Sequence, residues 1–158
     1  MEILVYSGLE LLGDGVMKLP FVRALRRAWP NARITWLAGK GPTVYSTTLA
    51  PLVVGCIDEI IENAGIGSQT SELWRRRPLP GRRFDLVIDT QRRVLTSLIL
   101  RRIRARCFIS GAADFRLSSR RPPRPFAKPE SMVGQLMALL AVAGGKPVDP
   151  GFDIVLPT

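Results

Sequence analysis

At 158 residues, 46% of them hydrophobic and 23% charged, the chain is large enough for one globular domain with a real core and too apolar to be disordered. Its net charge of +10, carried by nineteen arginines and four lysines against thirteen carboxylates, calls for an anionic partner. The complete absence of histidine removes Ser-His-Asp and Cys-His catalysis in their usual forms and the histidine-based zinc hydrolases, leaving proton abstraction to a carboxylate, or leaving pure binding.

Met1-Glu2 leads directly into an apolar run with no basic segment ahead of it, which argues against a secretory signal. The longest apolar stretch, around Leu136 to Ala143, suits a buried helix and falls short of membrane-spanning length. The expected location is therefore the cytoplasm. Cys56 and Cys107 lie far apart without metal-ligand spacing and read as reduced, buried thiols.

Ile3-Leu4-Val5-Tyr6 is short, β-branched and bounded by Ser7-Gly8, the pattern of a buried strand. Phe21, Ala24, Leu25 and Ala28 repeat at helical spacing, with Arg23, Arg26 and Arg27 on the other faces. Between the two lies Gly13-Asp14-Gly15. A strand, a glycine-bearing loop and a helix make the first half of a βαβ unit, and ligands of such folds bind beyond the carboxyl ends of the strands. Asp14 is a good helix N-cap on general grounds. Pro20, six residues on, would break a helix running straight from Asp14, so the first turn is expected to be kinked or the regular helix to begin near Lys18, with Asp14 on a shaped loop.

Arg33 to Ala38 reads as the second strand, Gly39-Lys40-Gly41-Pro42 as a turn without P-loop spacing, Thr43 to Leu49 as a short helix and Cys56 to Glu62 as the third strand. Asn63 to Arg82, rich in glycine and proline, is the expected irregular insertion, with one helical candidate at Ser71 to Arg77. Phe84 to Thr90 is a core strand closed by Asp89, with Gln91 at the same carboxyl edge as Asp14, and Asp85 facing solvent at its start. Val94 to Ile103 is a helix, Ala105 to Ser110 a strand, and the proline-broken Gly111 to Glu130 a loop. Ser131 to Ala143 forms the last helix, closed by Gly144-Gly145, and Phe152 to Leu156 a final strand. The alternation predicts a single α/β domain spanning residues 1–158: a Rossmann-like, mainly parallel sheet with helices on both faces.

Two blocks carry a family resemblance. Leu12-Gly13-Asp14, Leu19-Pro20, Arg23-Ala24-Leu25 and Pro30 to Leu37 resemble the opening of the ADP-heptose:lipopolysaccharide heptosyltransferases, glycosyltransferase family 9, and Arg83-Phe84-Asp85-Leu86-Val87-Ile88-Asp89-Thr90-Gln91 is similar to a later strand of that family. Where family members often have glycine after this element, the chain has Arg92. The resemblance implies one half of a GT-B architecture, the acceptor-binding half, with the donor-binding domain absent from this chain. It implies inverting transfer of heptose from ADP-heptose to a lipopolysaccharide inner-core sugar, with Asp14 as the base that deprotonates the acceptor. No metal and no cofactor are implied, the ADP-heptose donor being held by the other domain.

Fifteen of the nineteen arginines fall between Arg75 and Arg124. The guanidinium fork suits carboxylates and phosphates, such as those of Kdo and lipid A. The candidate acceptor contacts are Gly13, Gln91, Arg75, Arg76, Arg77, Arg116, Arg120 and Arg121, and the same charge would suit peripheral contact with an anionic membrane. Nucleic acid is disfavoured, because the region lacks interleaved aromatic residues and any groove-reading motif. The alternative from another class is a non-catalytic basic module that holds an anionic saccharide, a membrane surface or nucleic acid.

Overall fold

The structure, a computed structural model, describes residues 1–8, 12–123 and 127–144. Five strands run parallel in one sheet, β1 (Glu2–Ser7), β2 (Arg33–Ala38), β3 (Glu59–Ile61), β4 (Arg83–Asp89) and β5 (Arg104–Ser110), in the spatial order β3-β2-β1-β4-β5. Three α-helices accompany it, α1 (Leu12–Ala28), α2 (Val94–Leu100) and α3 (Met132–Gly144). The predicted Rossmann-like α/β arrangement is what forms. The strand expected at Phe152 to Leu156 and the Gly145 end of the last helix lie outside the described residues.

The central strands are apolar on both faces because both are covered. Ile3 and Val5 of β1 join Leu86, Ile88, Ile34 and Trp36 in a core roofed by Leu19, Phe21 and Val22 of α1 and Leu136, Leu139 and Leu140 of α3. Leu4 and Tyr6 point the other way, with Val87 and Phe108, against Ile99 and Leu100 of α2. Each such fully buried side chain is worth roughly 1.5–3 kcal/mol, so the sheet is held from both sides.

Several expected boundaries shift. α1 runs unbroken from Leu12 with Pro20 buried inside it, so Asp14 sits within the first helical turn and neither caps the helix nor lies on a loop. The proline ring is taken up in the core beside Leu19, Phe21 and Val22, where burial holds the helix despite the missing N–H. Thr43 to Leu49 forms only a 3-10 turn at Val44–Ser46, and a second, containing Pro51, follows at Ala50–Leu52. The third strand contracts to Glu59–Ile61, because Asp58 instead spends its carboxylate on the Ile34 N–H at 2.8 Å and on Arg26 at 2.6 Å. Helix formation near Ser71 reaches only Thr70–Leu73, and α2 stops at Leu100. Asp85 does not face solvent freely but accepts the Glu2 N–H at 2.7 Å. Cys56 and Cys107 are free thiols, half-buried and not fully enclosed.

The 63–82 segment is irregular, as expected, but firmly tied. Arg82 grips Glu59 with two parallel hydrogen bonds of 3.0 Å, and Arg33 and Thr35 add two more, which holds the Glu59 carboxyl down at about 2. At the other end the Tyr6 hydroxyl donates to the Ile66 carbonyl at 2.7 Å and Thr96 to the Gly67 carbonyl at 2.8 Å, so the segment is strapped across the end of the sheet.

Beneath the carboxyl end lies a buried polar knot. Asp89 is 0% exposed and accepts from the Gln91 N–H at 2.8 Å, from Ser97 of α2 at 2.6 Å and from Ser110 of β5 at 3.1 Å. Burial outweighs these bonds and raises its pKa from 3.8 to about 7. Because the folded pKa lies above the unfolded one, the native state holds this proton more tightly, and Asp89's contribution to stability falls as pH rises through that interval. Asp89→Asn, which cannot ionise, should flatten that decline, so that urea unfolding from about pH 4 to about pH 8 shows the variant gaining on the parent by a few kcal/mol. A parallel pH dependence in both proteins would show that Asp89 ionises in the native state as freely as in the unfolded chain.

Gly15 supports a second prediction. A β-carbon there would stand 2.3 Å from Val44 Cγ2 and 3.0 Å from Leu49 Cδ1. Gly15→Ala should destabilise the fold by roughly 1–3 kcal/mol in chemical denaturation, and adding Val44→Ala should recover part of the loss.

Candidate active site

In this strand order the chain moves away from β1 on one side through β2 and returns on the other side as β4, so the connections diverge between the carboxyl ends of β1 and β4. That divergence opens a crevice where α/β sheets of this kind receive ligands. Both walls are fixed by short contacts. The Thr90 N–H and hydroxyl donate to the Tyr6 carbonyl at 3.2 and 2.7 Å. A β-carbon on Gly8 would lie 3.2 Å from the Gln91 amide carbon, so a glycine at position 8 lets the Gln91 side chain lie against the end of β1.

Asp14 belongs to this edge. It is half-buried in the first turn of α1, where a carboxylate is favoured by the unsatisfied N–H groups of the helix start. Gly13 is exposed beside it, and a β-carbon there would meet nothing within 4 Å, so no packing demand explains a glycine at that position. Tyr45 anchors the same turn by donating to the Gly15 carbonyl at 2.7 Å.

Lys18 is a residue the sequence reading passed over. It is only 4% exposed, and its ammonium donates to the Ser7 hydroxyl at 2.8 Å. Standing four residues after Asp14, it shares that residue's helix face. Its charge also reaches Asp89, whose carboxylate it favours against the effect of burial. The interval of four between an acid and a base on one helix was visible in the chain. Its meaning was not, because an exposed ion pair has the same spacing.

The predicted arginines do not form one cluster. Arg77 borders an open hollow with Arg83, Arg104 and Arg106, at the amino ends of β4 and β5, across the sheet from Asp14 and Gln91. Arg75 lies just past the 3-10 turn at Thr70–Leu73, its carbonyl accepting from Arg102 at 2.5 Å, and Arg76 is exposed next to it. Arg116 is exposed in the loop that leaves the carboxyl end of β5. The chain then turns back along that strand, Ser118 bonding the Ser110 N–H and Ser119 the Phe108 N–H. Arg120 thereby reaches the end of α3, donating to the Ala143 carbonyl at 2.6 Å beside Met1 and Asp85, and Arg121 follows it, exposed. Gly13, Asp14, Gln91 and Arg116 are thus associated with the carboxyl side, while Arg77 and Arg120 stand toward the amino side.

Among the described residues no three His, Cys, Asp or Glu side chains gather that could hold a metal ion, and no helix is long and apolar enough to cross a membrane.

No family model matches the sequence, and no curated protein matches it. Solved structures do. A glycosyl transferase of family 9 from Veillonella parvula DSM 2008 superposes with a TM-score of 0.64 at 20% identity, over 95% of this chain and 43% of that one. E. coli heptosyltransferase WaaC with ADP gives 0.63 at 21% identity, over 92% of this chain and 48% of its own. E. coli ADP-heptose lps heptosyltransferase II gives 0.56 at 19%, over 90% and 40%. The chain spans less than half the length of each of these proteins. At such identities the likeness is one of fold, and it bears out the resemblance read from the two sequence blocks: nearly all of this chain has the architecture of one part of the family 9 glycosyltransferases.

Proposed function

We propose that this chain is the acceptor-binding half of a heptosyltransferase-like enzyme, which transfers heptose with inversion from ADP-heptose to an inner-core sugar of lipopolysaccharide. The observation that carries the reading is a Rossmann-like half whose strand order reverses between β1 and β4, matched over 92% of its length to a little under half of a heptosyltransferase solved with ADP. The donor nucleotide-sugar belongs to the other domain of such an enzyme.

In this mechanism an acceptor hydroxyl lies over the first turn of α1, approaching across Gly13, where side-chain bulk is absent. Its oxygen attacks the anomeric carbon of heptose from the face opposite the leaving group. As that C–O bond forms, the bond from the anomeric carbon to the terminal phosphate oxygen breaks, and ADP departs with the electron pair. The Asp14 carboxylate takes the hydroxyl proton, and the single displacement inverts the anomeric centre. Lys18, held against Ser7, positions the Asp14 face of the helix and keeps positive potential at the crevice floor. The protein acts in the cytoplasm, and the exposed arginines at the amino ends of β4 and β5 meet an anionic membrane on the side of the sheet away from Asp14.

The test joins this chain to the donor-binding half of a family 9 enzyme and follows heptose transfer to a lipopolysaccharide core acceptor. Asp14→Asn should lower turnover by about 10²–10⁴-fold, the usual worth of a positioned base, with the fold retained and stability reduced by no more than about 1 kcal/mol for the lost charge at the helix start. Turnover equal to the parent would exclude Asp14 as base. Gly13→Ala should leave stability the same or slightly higher, since Ala is the better helix former, yet weaken acceptor binding. Equal acceptor affinity would mean that nothing approaches the helix there.

A second reading is favoured by one observation: Arg83 and Arg104 are register partners on adjacent strands, with Arg77 and Arg106 beside them. Like charges so placed repel, and a polyanion would relieve them. In that reading the chain is a non-catalytic basic module. Tight oligonucleotide or anionic-vesicle binding, steeply weakened by salt and unaccompanied by saccharide binding, would select it.

A further inference from the structure

Most arginines whose contacts are defined are matched. Arg26 is engaged by the Pro30, Ala32 and Cys56 carbonyls and Asp58, Arg82 by Glu59, Arg102 by the Glu72 and Arg75 carbonyls, and Arg120 by Ala143. Arg92 is the exception. Its guanidinium packs flat against Gly111, whose β-carbon, if present, would stand 3.1 Å from both Nε and Nη2. Its Nη1 is enclosed, yet has no hydrogen-bond partner among the described residues. An enclosed guanidinium nitrogen without an acceptor is costly, because it has given up water and received nothing in return.

A small pocket lies beside Arg92, and among the described residues no acceptor stands within hydrogen-bond reach of Nη1. Arg92 lines a small pocket of about 30 Å³ at the carboxyl ends of β4 and β5, walled by Thr90, Gly111 and Phe115 and roofed by Gln135 and Leu139 of α3. Among the described residues no carboxylate lines it. Asp89, three residues back, faces the other side of the sheet and is committed to Ser97, Ser110 and the Gln91 N–H. The Gln135 amide donates to the Pro129 carbonyl at 2.9 Å, and the Thr90 hydroxyl to Tyr6. The volume exceeds that needed for one water and is far below that of a sugar ring, so it suits a small group projecting from a larger ligand. A planar carboxylate matches the guanidinium in charge, shape and donor geometry.

We infer that Arg92 receives the carboxylate of a sugar acid, with the ring lying outside the pocket in the crevice and the carboxylate entering it to meet the guanidinium, which shifts from Gly111 to present the unpaired Nη1. The identity of the ligand as a sugar rests on the proposed function, whereas the oxyanion site rests on Arg92 and its pocket alone.

The test measures binding of three probes to the whole chain by calorimetry: the methyl glycoside of Kdo, the methyl ester of that glycoside, and inorganic phosphate. The parent should bind the free acid about 10- to 100-fold more tightly than the ester, the worth of one charge-assisted hydrogen bond. Arg92→Gln, which keeps most of the side-chain length and removes the charge, should abolish that preference, and Arg27→Ala, exposed in the last turn of α1, should leave it intact. Circular dichroism and unfolding temperature monitor the fold, and Arg92→Lys serves where Arg92→Gln is unstable, with the preference reduced because the fork is lost. Equal binding of acid and ester by the parent, or a preference that survives at position 92, would overturn the Arg92 site while leaving the saccharide reading standing. Binding of phosphate alone, lost in Arg92→Gln, would sustain the oxyanion site and remove the sugar.

Discussion

The position of β1 between β2 and β4 is the constraint from which the rest follows. Ile3, Leu4, Val5 and Tyr6 pair on one edge with Ile34 to Leu37 and on the other with Leu86 to Asp89, all in parallel. A parallel strand with neighbours on both sides has no edge to expose, and its side chains must be apolar above and below. The chain cannot pass from β3 to β4 without crossing the whole strand, and the 63–82 segment makes that crossing. Two loops that leave the sheet in opposite directions then cannot close over the same point, and the gap between them is the crevice beside Asp14 and Gln91.

Legibility in the sequence followed how local the determining physics was. FDLVID announces a strand because burial on two faces demands a near-continuous apolar run, here Leu86-Val87-Ile88 with Phe84, and it became β4 almost to the residue. The start of α1 was misjudged because the penalty for Pro20 is a backbone property, whereas the compensation comes from a core assembled by Leu19, Phe21, α3 and the sheet together. CIDEIIE reads as seven strand residues, yet Cys56 and Ile57 turn back onto the Val53 carbonyl and the Asp58 and Glu62 carboxylates bond the Ile34 and Thr43 N–H groups, so regular pairing is confined to Glu59–Ile61. At the site, Asp14 and Gln91 were legible from their place after strands, while Lys18 and Arg92 were not. A buried cation is defined by what surrounds it, and those surroundings come from elements tens of residues away.

Charge was the most visible property of the chain and the least direct guide to its use. A run such as Arg75-Arg76-Arg77 stands out in sequence, but the fold sends Arg77 to the amino side of the sheet beside Arg83 and Arg104. Several isolated arginines serve the architecture. Arg26 gathers three carbonyls and Asp58 around the end of α1, and Arg120 reaches the last turn of α3, where exposed carbonyls attract a cation. A net charge of +10 therefore combines structural ligands for backbone carbonyls with an outward-facing surplus at one end of the strands.

Tyr6 sits between two glycines that leave it no slack. A β-carbon at Gly39 would fall 2.2 Å from its hydroxyl and one at Gly67, whose φ is +98°, 2.3 Å away. The phenol is thus a rivet through three separate stretches of chain, and its proton is held tightly because burial raises its pKa. Neither glycine can gain a side chain while the tyrosine stays, so one aromatic ring dictates the residue type at two positions more than thirty residues away in the chain.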